Sequence, residues 1–259
     1  MMRFLCLADL HISEKDSQQL NQVKELLQKF DDIDAILIAG DVFDTRELNP
    51  YKELSQLEKP VIFCLGNHEF AYSSIHGTIN YYFNNYNPNQ WNVHCLDIIG
   101  HYSIGNVNIV GNVLWFDGSL KSFPEQEDKI SKNWLDSTIY QFDFKKECQR
   151  CIAQITSKEN HPEINEDTGE KIEHTILLTH CVPHIDLNVH TIDKPMSIFN
   201  MYSGVKNLFE MIDFKDFDWA VCGHTHKYAK KEIDGIQCIN IGNDYFRYSD
   251  KLNFYIIDL

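Results

Sequence analysis

Nine short apolar runs punctuate the chain, and five of its twelve His fall at their ends. The runs are RFLCLA, DAILIAG, KPVIFCLG, WNVHCL, VNIVGNVLWF, HTILLTH, DWAVCGH, IQCINIG and NFYIID. Runs of this length, bounded by Gly or polar residues, predict buried strands. Between the first two, SQQLNQVKELLQKF places Leu20, Val23, Leu26, Leu27 and Phe30 on a 3.6-residue stripe, which predicts a crossover helix. Helical patterning returns near 139–157 and 204–212. A β-α-β start with a β-rich remainder predicts an α/β fold whose sheets are covered by helices.

The chain has 259 residues, 38 of them acidic and 23 basic, for a formal charge of −15. That length suits one large domain over 1–259, with loop or cap insertions at about 70–92 and 157–173. The second insertion, SKENHPEINEDTGEKIE, is nearly devoid of large apolar groups and reads as an exposed loop or hairpin excursion. Residues 79–91, INYYFNNYNPNQW, mix aromatic and amide side chains without clear periodicity. They read as a surface loop or packed cap, with base stacking as the alternative use of the rings.

The acidic balance argues against an extended nucleic acid or an anionic membrane as partner. No window reaches the roughly 18 apolar residues of a membrane span. The apolar start is cut off by Asp9, so it reads as a first strand rather than a secretion signal. Eight Cys scattered through apolar contexts read as buried reduced thiols, and the one CxxC, Cys148 and Cys151, as packing within a helix. The expected compartment is the cytoplasm.

The strand ends carry the chemistry. They read Asp9-Leu10-His11, Gly40-Asp41-Val42-Phe43-Asp44, Gly66-Asn67-His68-Glu69, His180, and Gly223-His224-Thr225-His226. Residues i and i+2 just past a strand can present two groups to one side. Strand ends along one sheet edge converge on a crevice. Asp, His and Asn together supply the oxygen and nitrogen donors of a two-metal site, including a carboxylate able to bridge. Any one motif is an ordinary occurrence, but five in order at strand ends point to a metal centre. The glycines before Asp41, Asn67 and His224 are read as the residues that let the backbone turn.

The order DxH, GDxxD, GNHE, TH, GHTH, running from Asp9 to His226, resembles that of the calcineurin-like metallophosphoesterases. The stretches NVHCLD, VNIVGNVLWFDGSL and THCVPH resemble a bacterial and phage branch of generic phosphoesterases. The resemblance implies a two-layer β-sandwich of mixed sheets flanked by helices. It also implies two divalent ions, with Mn²⁺, Fe²⁺/Fe³⁺ or Zn²⁺ suited to such ligands. Asp9, His11 and His226 would hold one ion and Asn67, His180 and His224 the other, with Asp41 bridging. His68 would serve the leaving oxygen as proton donor, oriented by Asp44. Phosphoprotein phosphatases of this superfamily continue GDxxDRG, whereas this chain reads GDVFDTR, so Arg46 is shifted and that branch is disfavoured.

Two further residues are candidate substrate contacts: His184, in THCVPH, and Arg247, after a late strand. His94 and His190 read as structural. The expected activity is hydrolysis of a phosphomono- or diester of a small molecule or nucleotide by metal-activated hydroxide. A nuclease acting on DNA or RNA ends is the second reading, opposed by the acidic balance. An inactive metal-binding scaffold is the third, opposed by the presence of every ligand and of His68.

Overall fold

Successive side chains of a strand leave on opposite faces, so a strand that is apolar throughout must be covered twice. The computed structural model describes residues 1–14, 18–71, 73–121, 142–188, 199–212, 217–243 and 251–259. One sheet is built from β1 (Arg3–Leu7), β2 (Ala35–Ala39), β3 (Val61–Cys64), β4 (Val93–Cys95) and β11 (Tyr255–Asp258). The other takes β5 (His101–Ile104), β6 (Val107–Asn112), β7 (His174–Thr179), β8 (Trp219–Cys222), β9 (Ala229–Ile233) and β10 (Ile236–Asn240). Among the described residues the helices are α1 (Gln18–Lys29), α2 (Pro50–Ser55), α3 (Asn67–Phe70), α4 (Ile75–Asn85), α5 (Leu96–Ile99) and α6 (Phe144–Ile155).

The strand orders are β11-β1-β2-β3-β4 and β5-β6-β7-β8-β10-β9. β1 to β4 run parallel, as do β6, β7, β8 and β10, while β11, β5 and β9 are antiparallel edges. Alternation does the sorting. Phe4, Cys6, Leu37 and Ile62 share one core cluster with Ile109, Ile176, Leu178, Val221 and Ile239 of the second sheet. The intervening Leu5, Leu7, Ile36, Ile38 and Phe63 pack in the other cluster, with Leu20 and Val23 of α1 and Tyr51 and Leu54 of α2. The result is the two-layer sandwich of mixed sheets flanked by helices that the motif resemblance implied.

All nine apolar runs are strands. The two strands with no apolar run, β5 and β9, are edges. β9 exposes Lys230, Lys231 and Glu232, and β5 is half-buried along its length, so neither needs a continuous apolar sequence. α1 buries Leu20 and Val23 of the stripe read for it. Cys148 and Cys151 are buried on α6, and all eight thiols are buried and unbridged.

Two local expectations are corrected. Residues 75–85 form helix α4, capped by Ser74, which accepts a hydrogen bond from Gly77 N–H, rather than a loop. Ile75, Thr78, Ile79 and Tyr82 are buried or pack on the core at a helical spacing, with Tyr81 beside them, and that pattern begins before the segment read as aperiodic. Conversely, 204–212 is no helix. The chain there runs beside 182–184, with bridges Val182–Gly204 and His184–Asn207, and buries Val205, Leu208 and Phe209 from turns. Within 157–173, a 3₁₀ turn at Lys158–Asn160 leads into an excursion closed by an antiparallel bridge between Ile164 and Lys171. Among the described residues no helix is long and apolar enough to cross a membrane.

Candidate metal centre

The parallel strands of both sheets end on one edge of the sandwich. β1 leads to Asp9 and His11, β2 to Asp41 and Asp44, β3 to Asn67 and His68, β7 to His180, and β8 to His224 and His226. The backbone interlocks these exits. Asp9 N–H donates to Gly40 C=O and His11 N–H to Asp41 C=O, at 3.1 and 2.9 Å. Asp9 Oδ1 accepts from His224 N–H and Asp41 Oδ1 from His68 N–H, both at 3.0 Å. Asp9, His11, Asp41, His224 and His226 all have left-handed φ, between 47° and 71°.

Glycine acts differently from the sequence-based expectation. Gly40 does turn, at φ +76°. Gly66 is extended, at φ −118°, and is glycine for want of space: a Cβ there would lie 2.1 Å from Asp41 Oδ1.

Three overlapping groups place their ligand atoms within 4.8 Å of one another: Asp9, His11 and His226; Asp41, His180 and His224; and His11, Asp41 and His68. Asn67 joins the second, with Oδ1 3.0 Å from His180 Nε2. His180 Nε2 is also 3.3 Å from Asp41 Oδ2 and 3.2 Å from His224 Nδ1.

Each of the four histidines in the first two groups has one ring nitrogen tied to an acceptor. His11 Nδ1 faces Asp44 at 2.9 Å, His180 Nδ1 faces Ala39 C=O at 2.9 Å, and His224 Nε2 faces Tyr202 C=O at 2.8 Å. His226 Nδ1 faces Asn243 C=O. A nitrogen that donates to such an acceptor leaves the other with its lone pair free, which is how metal-binding histidines are oriented. Asp9 Oδ2, meanwhile, is buried without a hydrogen-bond partner among the described residues. Oriented imidazoles and an orphaned buried carboxylate oxygen fit a site for divalent cations.

The comparisons with known proteins agree with this geometry. The family model for calcineurin-like phosphoesterases matches residues 2–228. The chain belongs to the calcineurin-like phosphoesterase family. It is thereby a metal-dependent phosphoric ester hydrolase, and its His and Asp clusters can hold metal. Among solved structures, phosphopantetheinyl hydrolase from Mycobacterium tuberculosis aligns at TM-score 0.69 and 15% identity, over 98% of this chain and 95% of that one. GAP50, described as the anchor in the inner membrane complex of Plasmodium, aligns at TM-score 0.51 and 10% identity, over 98% and 80%. At these identities the likeness is one of fold. A search of curated proteins finds no match.

Electrostatics within this phosphoesterase site run against burial. Desolvation alone would push His180 down, but Asp41 and Asp9 beside it hold it up at about 9. His68 is likewise held at about 10, because Asp41 and the Asp44 hydrogen bond outweigh its burial. Asp41 and Asp44 stay well below the usual carboxylate range despite burial, Asp41 through His180, His68 and His11, and Asp44 through its bonds to His11 and His68. Desolvation and the neighbouring His180 charge push His224 down to about 4. Carboxylates that hold protons on neighbouring imidazoles attract a divalent cation by the same field, and the two compete. Asp9, Asp41 and His180 are at most 1% exposed, whereas His68, His224 and His226 are half-buried and line the open side.

Asp44 has more than the one expected partner. Its Oδ1 meets both His68 Nδ1, at 2.8 Å, and His11 Nδ1, at 2.9 Å. His184 stands apart from the clusters: its ring stacks on Phe209, and it lines a cavity of about 450 Å³ with Asp117, Ser119, Ile185, Lys206 and Glu210. Arg247 and His190 lie outside the described residues. His94 is buried against Tyr86 and Tyr102. Arg46 bonds Thr78 Oγ1 and lies over the Tyr81 ring, so it holds α4 to the Asp44 loop.

Sequence reading gave no role to Glu69 or to the carbonyls of Ala39, Tyr202 and Asn243. Glu69 stood inside the GNHE motif, and its place three residues after the helix cap was the available signal. Backbone acceptors leave no trace in residue identity.

Proposed function

We propose that this chain hydrolyses a phosphomono- or phosphodiester of a small molecule or nucleotide at a two-ion centre. The observation that carries the proposal is the set of four histidines, each tied through one nitrogen and gathered around Asp9 and Asp41. Asp9, His11 and His226 would hold one divalent ion, and Asn67, His180 and His224 the other. Asp41, which falls in two of the three groups, is shared. Divalent ions such as Mn²⁺ supply Lewis-acid polarisation of phosphate oxygens and a lowered pKa for the attacking water.

The remaining work falls to the protein. Asp44 accepts from His68 Nδ1–H and so turns Nε2 towards the crevice, 3.8 Å from Asp41 Oδ2. The proton on that nitrogen goes to the departing oxygen. Asn67 would contribute a neutral oxygen, so of the residues that would hold the ions only Asp9 and Asp41 carry negative charge, and with Asp44 beside them two bound divalent ions would still leave the crevice net positive. An anionic ester is thus attracted locally by a chain whose formal charge is −15.

The test is a substrate panel with Mn²⁺ supplied: aryl phosphomono- and diesters, nucleotides, cyclic nucleotides, dinucleotides and single-stranded DNA. A phosphopantetheinyl ester joins it because of the fold shared with that hydrolase. Small esters are expected to be cleaved, with activity on esters of poor leaving groups lost in His68→Ala while metal is retained, and activity on all of them lost together with metal in Asp41→Ala. Preferential cleavage of DNA, or no turnover of any small ester by metal-loaded protein, would overturn the proposal.

A further inference from the structure

The exit of β3 is pinned by three carboxylates in four residues. Leu65 N–H donates to Asp97 Oδ2 at 2.7 Å, Gly66 N–H to Glu69 Oε2 at 2.7 Å, and His68 N–H to Asp41 Oδ1 at 3.0 Å. The first two reach further. Glu69 Oε1 also accepts from Val42 and Phe43 N–H, at 2.7 and 2.8 Å, in the loop between Asp41 and Asp44. Asp97 Oδ1 accepts from Val113 N–H, at 3.0 Å, at the exit of β6 in the other sheet. Five backbone amides from three strand exits therefore end on two side chains, neither of which belongs to the clusters above.

We propose that Glu69 is a positioning residue of the hydrolase, and that with Asp97 it forms a brace setting the Asp41–Asp44 loop against the Asn67–His68 loop. The inference rests on the reading of those loops as ligand and proton-donor loops.

The chemistry of the acceptor makes the case. Both oxygens of Glu69 face N–H donors, two on one and one on the other. Only a side chain with acceptors at both ends satisfies that arrangement, and a carboxylate is acceptor-only. Glutamine has the same length but must turn an NH₂ against either Gly66 N–H or the Val42 and Phe43 pair. Glu69 is 3% exposed, so a misdirected donor finds no water to replace the lost bond. A helix cap alone would need one acceptor for Gly66. The two additional bonds, to a loop 26 and 27 residues earlier, are what link the ligand loops.

The experiment compares wild type, Glu69→Gln and Glu69→Ala with Tyr51→Phe. The last loses the buried bond from Tyr51 OH to Tyr82 C=O and lowers stability away from the site. Steady-state kinetics on an aryl phosphodiester, Mn²⁺ affinity by calorimetry and amide exchange are measured well below every melting point. If the brace positions the loops, Glu69→Gln lowers kcat at least tenfold and Glu69→Ala about 10²-fold, with KM within about threefold. Mn²⁺ binding weakens in both, and exchange at Gly66 and His68 accelerates in the metal-free protein while β7 is unchanged. Tyr51→Phe lowers the melting temperature but leaves kcat and Mn²⁺ affinity as they were. Wild-type kcat and Mn²⁺ affinity in Glu69→Gln would overturn the positioning role. Failure of wild type itself to bind metal or cleave esters would instead refute the reading of the site.

Discussion

Adding one methyl group at Gly66 is expected to disable the site. Gly66 sits at φ −118° and ψ −177°, a conformation open to any residue, so alanine meets no backbone penalty there. The whole effect is then contact with Asp41. The new Cβ would lie 2.1 Å from Oδ1, 2.4 Å from the backbone N and 2.8 Å from Cγ. Real Cβ contacts essentially never fall below 3.0 Å, so the two loops must separate by roughly 1 Å. The Asp41 carboxylate cannot swing aside alone, because its own backbone N is among the clashing atoms. The loop is also held by the His11 N–H to Asp41 C=O bond and by Glu69.

Overpacking of this kind costs about 1–3 kcal/mol. At about 2–4 °C per kcal/mol for a chain of this size, the melting temperature falls by several degrees. Displacing a reacting group by about 1 Å costs about 10²-fold in rate. The assays are kcat on an aryl phosphodiester with Mn²⁺, bound metal by elemental analysis, and thermal melting by circular dichroism. Gly169→Ala is the control: φ is +74° with nothing within 4 Å, so it carries backbone strain but no clash, and kcat is expected to hold. A Gly66→Ala protein with wild-type kcat and metal content would refute the reasoning, whatever its melting temperature.

If His68 protonates the leaving oxygen, His68→Ala should cost about 10²–10⁴-fold on alkyl esters and far less on nitrophenyl esters, whose leaving group needs no proton. Equal deficits on both would exclude that role. His180 holds its proton to about 9, so if it is a ligand as proposed, metal uptake near neutrality must displace that proton. Mn²⁺ affinity should therefore strengthen from about pH 6 to pH 9, with proton release visible in calorimetry across buffers of different ionisation heat; a flat profile counts against this. His94 is pushed from 6.5 down to about 4 by burial, so the unfolded chain binds the extra proton between those values. Stability from this group is complete above about 6.5 and drains as pH falls towards 4, by about 2 kcal/mol at pH 4.5. Urea melts of wild type and His94→Gln at the two ends of that range should differ in slope with pH, and parallel losses would contradict the assignment.

The sequence disclosed elements whose residues answer to one demand and hid those that answer to two. Strands such as AILIA are buried on both faces, and that need alone selects an apolar run. The edge strand AKKEI faces solvent over three of its five residues, and its pairing with β10 is made by backbone, which any residue supplies. Helix α4 was obscured because Asn80, Asn84 and Asn85 are poor helix formers, and its burial is confined to Thr78 and Tyr82. At the candidate site, the residues that converge were legible because each is an Asp, Asn or His placed just past an apolar strand run. The acceptors behind the imidazoles were not, since Ala39, Tyr202 and Asn243 act through carbonyls.

The backbone of the site sharpens the distinction between what folding asks of these positions and what chemistry asks. Left-handed φ costs a non-glycine residue about 1–2 kcal/mol, with Asp, Asn and His at the lenient end. Asp9, His11, Asp41, His224 and His226 each bear it, so the sum reaches several kcal/mol. That is the order of a whole domain's net stability, about 5–15 kcal/mol. Folding alone would favour glycine at all five places. The strain persists because the surroundings over-determine it: the amides of Asp9, His11 and His224 are bonded across to neighbouring exits, and the sheets beneath are packed on both faces. Asp9 and His11, like His224 and His226, are thus turned out of the strand as pairs by their own backbone. Glycine at any of the five would relieve the backbone strain but remove in the same stroke the metal donor and the hydrogen bond that side chain makes, so the strain is the cost of placing these side chains and not a reserve that a substitution can simply recover.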